Sequence, residues 1–235
     1  FLDDYEFNVY GDFYALGEEG NEITFTSGRP LKQKGDWNGI YFSLAPSEGY
    51  YVYCWDIYNE NDCNQYEECS WVENFYCYDY DAYGDCISGN SEQYCNGGDV
   101  YIEGEGRTAN LEYVTIEYAK NGVQVNSSFG ISNFSLLNSN ITLNNQHGLY
   151  ASNNNSNIII SNSSFTHNAD DGIRIYNSYN GGNGVLISNN IISNNEEQGL
   201  YFNDCYNLTF EGNIVSNNGN HGVYTNYGEF YIINN

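Results

Sequence analysis

Residues 148–151 read Gly148-Leu149-Tyr150-Ala151, and the same kind of run returns as Gly172-Ile173-Arg174-Ile175, Gly199-Leu200-Tyr201-Phe202 and Gly222-Val223-Tyr224-Thr225. An earlier copy, Gly122-Val123-Gln124-Val125, precedes them, so the five glycines are spaced by 26, 24, 27 and 23 residues. In each run the residues one and three after the glycine are mostly apolar, which is the period of a strand with one buried face. Phe134 and Leu136, Ile158 and Ile160, Val185 and Ile187, and Leu208 and Phe210 stand at matching distances before the last four glycines and mark a second strand. A third is read at Thr115, Ile141, Phe165, Ile192 and Val215, ending in a column of Tyr118, Asn144, Asn168, Asn195 and Asn218. Three short strands in about 25 residues cannot bury their apolar side alone, whereas stacked copies can, as a parallel solenoid. The Asn column then becomes a ladder, each amide offering donors and an acceptor to the next one about 4.8 Å away.

Composition agrees. Of 39 Asn, 30 lie after Gly106, which disfavours helix because Asn competes for backbone hydrogen bonds. With 31 acidic and 6 basic side chains the chain carries a net charge of -25, which argues against nucleic acid as a partner. No apolar run approaches the ~18 residues of a membrane helix, so no membrane insertion is expected. Six of the seven Cys, namely Cys54, Cys63, Cys69, Cys77, Cys86 and Cys95, share one window. Their spacing is too wide for paired zinc ligands and points to disulfides, an oxidising compartment and an extracellular or cell-surface location, with the pairing open.

Gly35-Asp36-Trp37-Asn38-Gly39-Ile40-Tyr41-Phe42, preceded by Ile23-Thr24-Phe25-Thr26-Ser27, resembles the opening coils of right-handed parallel β-helix proteins of the pectate-lyase-like superfamily. Leu111 to Ala119, followed by Asn121-Gly122-Val123, resembles their next coil. The resemblance implies an all-β right-handed parallel β-helix. Residues 1–45 are expected to form its first coils, residues 101–235 the Asn-rich coils, and residues 46–100 a Cys-, Tyr- and acid-rich insertion that needs disulfide staples to hold a shape.

Superfamily lyases use an acidic calcium site with a basic residue, and related hydrolases use clustered Asp with His, Arg and Lys. The nearest match is Asp170-Asp171-Gly172-Ile173-Arg174, with Glu196 and Glu197 one coil on. Asp170, Asp171, Glu196 and Glu197 are therefore a candidate calcium set, weighed against a plain solvated turn. Catalysis is disfavoured, because no Lys follows Lys120 and because His147 and His221 share a column about 14 Å apart. No catalytic residue is assigned. Tyr150, Arg174, Tyr201 and Tyr224 form an outward stripe that would suit a glycan, a protein contact or nothing specific. Glycosylation sequons stand at Asn126, Asn133, Asn140, Asn154, Asn162 and Asn207.

Phe230-Tyr231-Ile232-Ile233 reads as the first strand of another coil, so the sequence stops mid-coil. An uncovered solenoid end invites another strand, and self-association through open ends is the expected partner interaction. The leading expectation is a non-enzymatic extracellular structural or cell-surface protein, a β-helix rod assembling end to end into a filament. The alternatives are a polysaccharide-binding or polysaccharide-cleaving protein and an adhesin using the insertion.

Overall fold

A computed structural model of the chain describes residues 5–44, 50–53, 65, 69–80, 86–97, 99–102, 106–127, 132–154, 157–178 and 184–235. Contacts divide the chain into two units, Phe1–Ser47 with Gly106–Asn235, and Glu48–Glu105. Among the described residues every regular element is a strand.

In the first unit each repeat becomes three strands, as in Asn133–Leu137, Asn140–Thr142 and Leu149–Asn154. Every neighbouring pair of rungs is parallel. One sheet of six strands stacks Ile23–Phe25, Val114–Glu117, Asn140–Thr142, Ser164–Thr166, Ile191–Ser193 and Ile214–Ser216. The other two strand positions belong to one twelve-stranded sheet, because Leu200–Glu211 runs unbroken from one face to the other. The described residues of the first unit thus form an all-β parallel solenoid.

Register carries the apolar columns into the core. Val123, Leu149, Ile173 and Leu200 stand opposite one another, as do Phe134, Ile158, Val185 and Leu208, and all are buried. Burying one such side chain contributes roughly 1.5–3 kcal/mol, and each rung places several inside. The opening coil is fixed by Trp37, which is fully buried and donates its indole N–H to the Glu117 carbonyl at 2.9 Å. Gly39, with a φ of +104°, follows where a Cβ would lie 1.8 Å from the Asn121 carbonyl oxygen.

The Asn ladder forms with one correction. Asn144, Asn168 and Asn195 each donate their side-chain amide to the next carbonyl oxygen of the column, at 2.9, 2.9 and 3.0 Å. That same oxygen also accepts the backbone N–H of the preceding rung. In the first coil the column holds Ala119, not Tyr118, and the Ala119 N–H donates to Asn144 Oδ1. Counting back from Gly122 misplaces it because this turn is one residue shorter, and Tyr118 instead takes the left-handed corner (φ 59°) that Leu143 (φ 58°) takes one rung on. Likewise Ile116, not Thr115, pairs with Ile141. A second ladder at the opposite corner runs through Ser139, Ser163, Asn190 and Asn213, each accepting the backbone N–H of the rung before.

In the second unit Tyr50–Tyr53 pairs antiparallel with Asp99–Ile102, and Cys69–Tyr80 with Cys86–Gly97. Cys69, Cys77, Cys86 and Cys95 lie on the latter two strands. Cys54 and Cys63, and the side chains of all six, lie outside the described residues, so the disulfide expectation stays with the sequence. Cys205 is buried in the solenoid, its thiol 3.4 Å from the Ile175 carbonyl.

Two substitutions test the stack. Asn168→Ala strands a buried Asn144 amide and its backbone N–H, and chemical denaturation should show a loss of about 2–4 kcal/mol. Gly172→Ala would set a Cβ 2.7 Å from the Gly199 carbonyl oxygen and should cost about 1–3 kcal/mol in the same measurement, with unchanged stability contradicting the close approach of the two rungs.

Candidate functional site

The outer face of the glycine-run strands carries a cluster of polar, charged and aromatic side chains. Parallel register sets Tyr41, Gln124, Tyr150, Arg174, Tyr201 and Tyr224 in one outward row, with Ser152, Tyr176, Asn203 and Asn226 in the row beside it. The turn before each run adds a column one residue ahead of the glycine, Asn121, His147, Asp171, Gln198 and His221, and another one step earlier holding Gln146, Asp170 and Glu197. Backbone hydrogen bonds tie these turns together, Asp170 N–H to Gln146 and Glu197 N–H to Asp170.

Asp171 is fully buried. Its Oδ1 accepts the Gln198 backbone N–H at 3.0 Å and its Oδ2 accepts from Arg174 Nη1 at 3.2 Å. Burial pushes its carboxyl up to about 6 despite these donors, and burial also raises Asp170. His147 stacks on Tyr150 with centroids 5.5 Å apart, and its Nδ1 accepts the Asp171 backbone N–H at 3.3 Å. The neutral ring therefore keeps its proton on Nε2, 3.7 Å from Asp170 Oδ2. Burial, with the Arg174 charge, pushes the His147 pKa down to about 3.

Arg174 lies over the rings of Tyr176 and Tyr201, 4.9 and 4.3 Å from their centroids, and donates to the Tyr176 hydroxyl. Tyr176 meets Tyr201 at 5.3 Å, and Tyr201 stacks on Tyr224 at 5.1 Å with planes 17° apart. The Tyr201 and Tyr224 rings thus turn faces toward one another, a consequence of placing like residues one rung apart.

Of the residues singled out by sequence, Asp170, Asp171 and Arg174 come together, and Tyr150, Tyr201 and Tyr224 line the same face. Glu196 instead meets Lys34, Nζ to Oε1 at 2.8 Å. His147 and Tyr176 join the cluster without having been chosen, although His147 shares its column with Asp171 one rung away and was legible there. Among the described residues the donors that could share one ion are His147, Asp170 and Asp171, with ligand atoms within 4.8 Å of one another. Two features work against such an ion. Arg174 already supplies a positive charge to Asp171, and a metal on Nε2 would move the imidazole proton to Nδ1, against the Asp171 N–H. Calcium takes six to eight oxygens, more than these two carboxylates offer.

Among the sequons, Asn133, Asn162 and Asn207 are exposed and Asn126 and Asn140 half-buried, while the Asn154 side chain lies outside the described residues.

A family described as a right handed beta helix region matches residues 64–235. No curated protein and no solved structure matches the chain.

Asp171 and His147 oppose each other in pH. Asp171, raised on folding, contributes stability that is complete below its unfolded value of 3.8 and is lost as pH rises through about 6. His147, depressed on folding, contributes stability present above 6.5 that is lost as pH falls toward about 3. Between about pH 4 and 6 the native pair holds its one proton on Asp171 and the unfolded pair on His147, so the slopes nearly cancel. Asp171→Asn should lose roughly 1–3 kcal/mol of its stability between about pH 7 and 4, while His147→Gln gains over that interval, as read by urea midpoints. Parallel slopes for the two variants would refute this pairing.

Proposed function

Because the chain belongs to the right-handed β-helix family, we propose that it serves as a non-enzymatic structural rod outside the cell or on its surface. One observation carries the reading: in the cluster around Asp171 and Arg174 the charges are spent on the chain itself. Arg174 is taken up by Asp171, Tyr176 and Tyr201, the Asp171 oxygens by Arg174 and Gln198, and the His147 Nδ1 by a backbone N–H. General acid–base chemistry needs such groups within reach of a substrate proton. Here they hold rungs together, which is what a rod requires. The location outside the cell rests on the clustered cysteines and the sequons.

A second reading has a specific observation behind it. Asp171 carries a raised pKa beside a second carboxyl and an arginine, the arrangement from which a polysaccharide-cleaving or polysaccharide-binding surface is built. Incubation with acidic and neutral polysaccharides separates the two. The rod reading expects no new reducing ends and no unsaturated product. Product release that Asp171→Asn abolishes would overturn it in favour of the second. Light scattering on the same preparation reads self-association of the rods.

A further inference from the structure

A groove of about 280 Å³ runs across several rungs at the corner between the second and third strands, on a different part of the coil from the Arg174 cluster. Its lining includes Asn138, Asn140, Asn162, Ser164, Asn189 and Ile191. The corner residues Asn138, Asn162 and Asn189 all have left-handed backbones, with φ of 50°, 51° and 56°, a conformation that Asn tolerates better than most residues. The residue after each turns inward into the Ser139, Ser163 and Asn190 ladder, and the one after that lines the groove.

The side chains here divide by what they bind. The inward residues are all bonded, the Ser139 and Ser163 hydroxyls to the Leu137 and Ser161 carbonyls and the Asn190 amide to Asn213 Oδ1 on the next rung, and Asn138 donates to Glu112 at 3.1 Å. Asn140, Asn162, Asn189 and the Ser164 hydroxyl have no side-chain hydrogen bond to the described residues. They stand in two neighbouring columns, Asn162 and Asn189 at the corner and Asn140 and Ser164 two residues on, each column stepping by the rung spacing of about 4.8 Å along the same groove. Each amide offers paired donors and an acceptor, the complement of adjacent hydroxyl groups. Ile191, 49 % exposed, adds an apolar surface for C–H groups.

Charge narrows the ligand. Among the described residues the only ionisable one lining the groove is Glu22, and no Lys, Arg or His does so. A carboxylated or sulfated polymer would find no counter-ion there and would meet repulsion from a chain of net charge -25. We propose that this groove binds a neutral, hydroxyl-rich glycan chain, lying across the rungs and held by the Asn140, Asn162 and Asn189 amides. Several weak contacts repeated along one polymer add to a useful attachment, and this would fasten the rod to a neutral polysaccharide.

The test is affinity electrophoresis of the whole chain through gels containing neutral glucans, mannans or galactans, beside gels containing a polyuronate. At least one neutral polymer should retard the chain, and the polyuronate should not. Asn162→Gly removes the amide while suiting the left-handed backbone, and Asn140→Ala removes the second. Each should weaken retardation about tenfold, with thermal unfolding confirming that both variants fold. Arg174→Ala, on the outer face, should leave retardation intact. The proposal is overturned if no neutral polymer retards the chain, or if Arg174→Ala loses as much as Asn162→Gly. It is overturned equally if the intact mass shows a covalent sugar on Asn140 or Asn162, since the groove would then hold the chain's own glycan. Polysaccharide cleavage in the earlier assay would leave this result unaffected, so the two readings fail separately.

Discussion

The solenoid depends on one constraint: every rung must present to the next the same groups at the same places. Parallel pairing satisfies the strand backbones, but the corners leave N–H and C=O groups that water does not reach, and an unpaired buried group costs about 1–3 kcal/mol. The Asn144, Asn168 and Asn195 amides answer this by accepting a backbone N–H of the rung before and donating onward. The glycines at 122, 148, 172 and 199 follow from the same demand, because each has the carbonyl of the next glycine where a side chain would begin. Apolar burial stabilises the stack, and these corner columns fix its register.

Most of the fold could be read from sequence because the demand repeats. The inward pairs Phe134 and Leu136, Ile158 and Ile160, and Val185 and Ile187 are strong period-two signals, and all are buried. What escaped reading has a common cause, namely columns whose members differ. The Ser139, Ser163, Asn190 and Asn213 ladder mixes hydroxyl and amide, which are interchangeable as acceptors of a backbone N–H but not as letters. Ala119 entered a column of Asn through a turn one residue short, and a count anchored on Gly122 could not detect it. The insertion gave composition without periodicity, and composition does not order six cysteines.

The outer cluster shows the same division. Asp170, Asp171 and Arg174 are adjacent in sequence and were legible as a group. The contribution of His147 depends on a neighbour one rung away, and the tautomer it adopts depends on a backbone N–H that no residue type announces. The tyrosine row was legible as a row, while the mutual stacking of Tyr201 and Tyr224 follows from rung spacing and ring orientation together.

Ala119 has a mechanical side. Backbone hydrogen bonds between rungs run along the long axis, so tension applied along that axis loads the rung interfaces in series, and a series yields at its weakest member. Between Asn144 and Asn168, and again between Asn168 and Asn195, the backbone contacts are doubled by an amide. Between Ala119 and Asn144 that column supplies a single bond, from the Ala119 N–H to Asn144 Oδ1, because alanine has no amide to donate the second. The unevenness of one column thus leaves the Ala119 side of the first Asn with one tie fewer at this corner than the amide-braced interfaces beyond it, so under axial tension this corner of that interface carries less load before it yields.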